Sequence, residues 1–134
     1  MKEILVVCIL FVSGFKILSA QSAADSIRKS HSKTSVDSIE TGVASYYHSK
    51  FIGRPTASGE LYDEAKMTAA HNRLPMGTII RVTNLRNKRS VIVKVNDRLH
   101  HRNTRLVDLS RAAAAYLGYV ARGLARVRVE VLKD

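Results

Sequence analysis

The chain has 134 residues, enough for one domain with short appendages. Lysine and arginine number 22 against 11 acidic residues, a formal charge of +11, and there is one cysteine, Cys8. A single cysteine excludes an internal disulfide framework and a thiolate zinc site, while the basic excess points to acidic partners or surroundings.

Residues 1–20, MKEILVVCILFVSGFKILSA, place Lys2 before an apolar run and small residues at Ser19 and Ala20. This is the layout of a secretory signal peptide cleaved near Ala20 and Gln21. The apolar run is short and Lys16 interrupts its far end, which argues against a membrane anchor. Cys8 follows Val7 in the middle of the run, so no lipid attachment is expected. Export changes the meaning of the charge. Outside the cell the available polyanions are wall polymers and anionic headgroups, and nucleic acid is not an expected partner.

Residues 21–40 are serine-rich and carry only isolated aliphatics. Such a segment buries too little surface to offset its ordering entropy and is expected to be a flexible linker. The texture changes at Thr41, and residues 41–134 are expected to form the domain. Gly42–Tyr47 and Thr78–Thr83 read as strands. From Ser90 to Asn96 the chain alternates, with Val91, Val93 and Val95 on one face. Residues 85–89 have the length of a hairpin connection between the second and third of these strands. Ser110 is positioned to cap a helix over Arg111–Leu117, and Gly118 to end it. Ala125, Val127, Val129 and Val131 define a last half-buried strand. Short strands with one small helix predict an all-β fold, a compact barrel.

Two stretches can carry chemistry. Val95-Asn96-Asp97-Arg98-Leu99-His100-His101 continues the valine alternation to Asp97, which puts a carboxylate on the inward face at a strand end. Upstream, a turn at Ser58-Gly59 leaves Glu60 and Asp63 on or beside a loop, and His71 follows Ala69-Ala70. Singly, each of these is more often a solvated or structural side chain than a functional one. Arg81, Arg86, Arg89, Arg126 and Arg128 are expected on solvated faces, with wall carboxylates or phosphates as alternative contacts. His31 and His48 have no partner at a ligand spacing, so neither metal nor cofactor is expected.

The motifs GVASYY, GRPTASGELYD, MTAAHNRLPMGTIIRVTNL, VIVKVNDR and RLVDLSRAAAAYLG occur in the order found in rare lipoprotein A-like domains, and the chain resembles that family from about Gly42 to Leu132. The resemblance implies a six-stranded double-psi β-barrel, shared with expansins and some glycoside hydrolases. It also implies an endolytic peptidoglycan lytic transglycosylase, which cuts between N-acetylmuramic acid and N-acetylglucosamine and leaves a 1,6-anhydro end. Asp97 then corresponds to the acid of the NDR motif, His71 to the histidine of AAH, and Glu60 and Asp63 to the acids of GExxD. In that chemistry Asp97 protonates the leaving oxygen and later takes the proton of the C6 hydroxyl. His71 orients Asp97 or the substrate, while Glu60 and Asp63 shape a sugar subsite or stabilise developing positive charge. Tyr46, Tyr47, Thr56, Asn96 and Arg98 are expected to contact the glycan.

The chain departs from the family pattern at three places: Tyr46 replaces a usual tryptophan, His48 a glycine, and Leu99-His100 a Gly-Pro pair beside the proposed acid. Neither the lipid-attachment cysteine nor the C-terminal septal-binding domain common in the family is recognisable, so division-site targeting is not implied. The expected protein is an exported monomer, periplasmic or extracellular, acting on peptidoglycan glycan strands. The competing readings are a non-catalytic, expansin-like wall-binding module and a hydrolase in which Glu60 or Asp63 activates water.

Overall fold

The computed structural model describes residues 34–133. The expected signal peptide, Cys8, the larger part of the expected linker and Asp134 lie outside the described residues. Six strands follow in order: β1 (Ser35–Tyr46), β2 (Thr68–Ala70), β3 (Ile79–Asn84), β4 (Ser90–Asp97), β5 (Val107–Leu109) and β6 (Ala125–Lys133). One helix, α1 (Arg111–Leu117), joins β5 to β6. The strands close into a barrel in the order β1-β5-β2-β4-β3-β6. The pairs β1–β5 and β2–β4 are parallel and the remaining pairs antiparallel. This is the six-stranded double-psi barrel with one short helix that the motifs implied.

The core follows from period-two patterning. Val91, Val93 and Val95 of β4 point inward with Ile80 and Val82 of β3 and Val127 and Val129 of β6. Each such side chain contributes about 1.5–3 kcal/mol by leaving water. Ala113, Ala114 and Leu117 of α1 close the barrel on one side. The helix is delimited as its sequence predicts. The Ser110 side chain accepts from the Ala113 N–H, and Gly118 takes the left-handed conformation (φ 80°) that ends the helix. The β3–β4 hairpin is pinned to that helix end, because the Asn84 and Asn87 amides both donate to the Leu117 carbonyl, at 2.9 and 2.8 Å.

Two expectations need correction. The linker was expected to run to Glu40, yet β1 begins at Ser35 and pairs with β6 from Ser35↔Lys133 onward. A sequence too polar to make its own core still forms a strand when a neighbouring edge supplies its hydrogen-bond partners. The second correction concerns Asp97. Strict alternation would carry it into the core, but the register with β2 jumps from Ala69↔Val95 to Ala70↔Asp97. The extra residue is a bulge that buries Val95 and Asn96 in succession and leaves Asp97 half-buried. Bulges re-aim side chains in this way.

Candidate active site

Asp97 opens into a cleft of about 560 Å³ formed by the end of β1, the end of β4 and the 98–105 loop. Three donors fix its carboxylate. The Tyr47 hydroxyl donates to Oδ2 at 2.6 Å, and the main-chain N–H groups of Ala57 and Arg98 donate to Oδ1 at 2.9 and 2.8 Å. Tyr47 is itself held by stacking on Tyr62, with ring centroids 4.3 Å apart, and by an edge contact with Phe51. Burial, then the hydrogen bond to Asp97, pushes the Tyr47 hydroxyl far above its ordinary range, so it is a permanent donor.

The loop that carries the Ala57 donor is built by its own residues. Thr56 is buried and donates from Oγ1 to the Glu60 carbonyl at 2.7 Å, and the Ser58 N–H donates to the Asn96 carbonyl at 3.1 Å. Thr56 and Asn96, expected to touch substrate, therefore hold the loop against the end of β4 and do not line the cleft. Tyr46 and Arg98 do line it. The Tyr46 hydroxyl is committed to the Val120 carbonyl, at 2.8 Å. The Arg98 guanidinium donates to the His71 carbonyl at 2.6 Å.

His71 is buried and lies behind the acid, outside the cleft lining. Its main-chain N–H donates to the Asp97 carbonyl at 3.0 Å. Its Nδ1 accepts from the Arg73 and Leu74 N–H groups at 3.0 and 3.2 Å, which assigns the ring proton to Nε2. Nε2 is the one buried side-chain nitrogen or oxygen without a partner among the described residues. Burial lowers the imidazole's proton affinity, so the ring is neutral near pH 7.

Glu60 and Asp63 are not brought to Asp97. Glu60 is exposed and ion-paired with Lys94, at 2.9 Å, and the hydrogen bond from Lys94 holds its carboxyl below the usual carboxylate range. Asp63 is exposed and accepts the Ala65 N–H in a local turn. Asp108, two residues before the Ser110 cap, lines the same cleft as Asp97. It accepts from the Ser45 hydroxyl and from Arg105 Nε at 3.1 Å. Its approach comes from the parallel pairing Ser45↔Asp108 and the antiparallel pairing Ala70↔Asp108, which no local pattern reveals. Leu99 and His100, at the departure from the family pattern, line the cleft wall, with Leu99 buried.

The chain is a closed six-stranded barrel with a carboxylate set in an open cleft, and the comparisons specify its family. Residues 39–129 match the family model described as lytic transglycolase, and the chain belongs to that family, as an RlpA-like domain. It is 48% identical over 108 residues to the endolytic peptidoglycan transglycosylase RlpA of Pasteurella multocida, covering 81% of this chain and 37% of that protein. It is 52% identical over 94 residues to the Haemophilus influenzae protein of the same name, covering 70% and 33%. The Pseudomonas aeruginosa counterpart is 56% identical over 89 residues, covering 66% and 26%. The chain thus spans roughly a third of the length of these curated relatives. Among solved structures, the fold is similar to a Streptomyces papain inhibitor, with TM-score 0.58 and 24% identity over 72% of this chain and 96% of that one. It is also similar to a Clavibacter michiganensis expansin mutant in complex with cellohexaose, with TM-score 0.57 and 20% identity over 72% and 51%.

Proposed function

We propose that this domain is an exported endolytic peptidoglycan lytic transglycosylase, with Asp97 as the single general acid and base. The observation that carries the reading is the asymmetry of the Asp97 carboxylate. Oδ1 accepts two main-chain N–H groups, whereas Oδ2 accepts only from Tyr47. Oδ2 keeps a lone-pair direction for a transferable proton, and Asp97 lines the cleft.

The proton on Oδ2 passes to the oxygen between N-acetylmuramic acid and N-acetylglucosamine as the C1–O bond breaks. The carboxylate left behind is stabilised by its three donors. It then takes the proton of the muramic acid C6 hydroxyl as that oxygen bonds to C1, giving the 1,6-anhydro end and restoring the acid. No second carboxylate holding water is required, which agrees with Glu60 being occupied by Lys94. His71 acts by positioning: its N–H and C=O anchor the main chain of Asp97 and the guanidinium of Arg98. Glu60 and Asp63 shape the 54–63 loop, through which Ala57 reaches the acid. Tyr46, Tyr47 and Arg98 form the glycan-facing wall, and the protein works as a periplasmic or extracellular monomer on glycan strands.

The test is digestion of purified peptidoglycan by the parent and by Asp97→Asn, with products read by mass spectrometry. The parent releases anhydro-ended fragments and the variant, with an unchanged circular dichroism spectrum, releases none. Fragments heavier by one water would assign a hydrolase. Binding without any released fragment would assign a wall-gripping module.

A further inference from the structure

A second cleft, of about 510 Å³, lies between the β3–β4 hairpin and the connection from α1 into β6. It shares no lining residue with the Asp97 cleft. Tyr46 lines the first and Tyr119 the second, and their rings meet edge-on at 6.1 Å as a partition.

Three arginines line this second cleft: Arg86 from the hairpin, Arg122 from the connection and Arg126 from the start of β6. No aspartate or glutamate does. Four other arginines are matched to acids: Arg73 to Glu40, Arg81 and Arg128 to Glu130, and Arg105 to Asp108. Among the described residues, Arg86, Arg122 and Arg126 make no ion pair. Like charges around one concavity repel, a cost that a convex surface avoids by letting them spread.

The walls are built rather than loose. Asn84 and Asn87 spend their amides on the Leu117 carbonyl, fixing the hairpin against the helix end. Gly118 permits that close approach, since a Cβ there would lie 3.2 Å from Asn87 Nδ2. Leu124, half exposed, adds apolar surface beside the guanidinium groups.

We propose that this cleft binds carboxylate groups of the wall polymer and gives the domain a grip on its substrate separate from the site that cuts. The inference rests on the wall-acting function proposed above. The planar fork of arginine matches a carboxylate with two parallel hydrogen bonds. The exposed Leu124 accommodates the short aliphatic part of an amino-acid residue that bears such a group. A flat anionic membrane fits less well, because the arginines surround a concavity.

The test is cosedimentation with insoluble peptidoglycan in the Asp97→Asn background, over a range of salt, so that the wall is not consumed. The triple variant Arg86→Gln, Arg122→Gln, Arg126→Gln is compared with a charge-matched control, Lys66→Gln, Arg102→Gln, Arg111→Gln. Loss of three charge-assisted contacts is expected to weaken binding by about 10-fold or more in the first and far less in the second. Peptidoglycan whose carboxyls have been converted to neutral amides should bind the parent as weakly as native wall binds the triple variant. With Asp97 intact, cleavage of short peptide-free glycan strands should be unaffected by the three arginine substitutions. Equal losses in the two triple variants, or undiminished binding of amidated wall, would overturn the proposal. So would arginine-dependent binding to anionic phospholipid vesicles with wall binding intact. Groove-dependent binding without anhydro products from the Asp97-intact parent would instead defeat the catalytic reading and leave the groove standing.

Discussion

Tyr47 is the residue on which the geometry of the acid turns. Its ring is clamped by Tyr62 and Phe51, and its hydroxyl reaches Asp97 Oδ2 at 2.6 Å. Because burial keeps that hydroxyl protonated, in the proposed reaction it donates to the carboxylate formed when the glycosidic oxygen takes the proton. A hydrogen bond to a charged group contributes roughly 1.5–3 kcal/mol, so Tyr47→Phe should slow release of anhydro products about 10- to 100-fold. The ring and its stacking survive the substitution, so the melting temperature should stay close to the parent's. A phenylalanine variant with parental rates would show that the hydroxyl only orders the resting site. Asp108 marks the limit of residue-by-residue reading. It sits two residues before the helix cap, and strand pairing carries it into the cleft with Asp97.

At the level of elements, short pieces are stable because neighbours complete them. α1 has seven residues, too few to persist alone, and depends on its cap and its buried face. Ser110 is fully buried, and its side chain accepts the Ala113 N–H. Ser110→Ala leaves that donor without a partner and should cost about 1 kcal/mol, read as a lower urea midpoint with an unchanged slope. The pairing of β3 with β6 makes a second test. Arg81 donates to both oxygens of Glu130, and Arg128 reaches the same carboxylate. The hydrogen bond from Arg81 holds the Glu130 carboxyl below the usual carboxylate range. A folded-state pKa below the unfolded one stabilises above the unfolded value, about 4.3, and that stability is lost as pH falls through the folded value. Glu130→Gln should therefore destabilise by about 1 kcal/mol at pH 7, a modest figure because Arg81 is partly in solvent. The difference from the parent should shrink as urea titrations move into the acid range. A gap that persists unchanged at low pH would mean that the carboxylate's charge is not what stabilises the strand pair.

For the molecule as a whole, the barrel places two clefts on either side of one aromatic partition. Asp97 opens into one, and Arg86, Arg122 and Arg126 line the other with no acid among its lining residues. Part of the net positive charge is gathered there. Of the arginines expected on solvated faces, Arg81 and Arg128 neutralise Glu130, whereas Arg86 and Arg126 gather with Arg122. Under the two proposals, the site that cuts and the site that grips occupy separate clefts of one small domain.

The sequence by itself determined β3, β4 and β6, the helix with both its caps, and the inward valines of β4 and β6, because alternation, helix propensity and capping are local properties. Its motifs also pointed to the barrel and to Asp97. The three-residue strands β2 and β5 were not legible, since so few residues carry no period and exist only through pairing on both sides. The start of β1 at Ser35 was hidden for a related reason, its order coming from the edge of β6. Tertiary structure alone decided that a bulge turns Asp97 out of the core, that Tyr47 and Ala57 hold it, and that Glu60 pairs with Lys94 instead of facing it. Those outcomes depend on register and on closure between distant segments, and neither is written in any short stretch of chain.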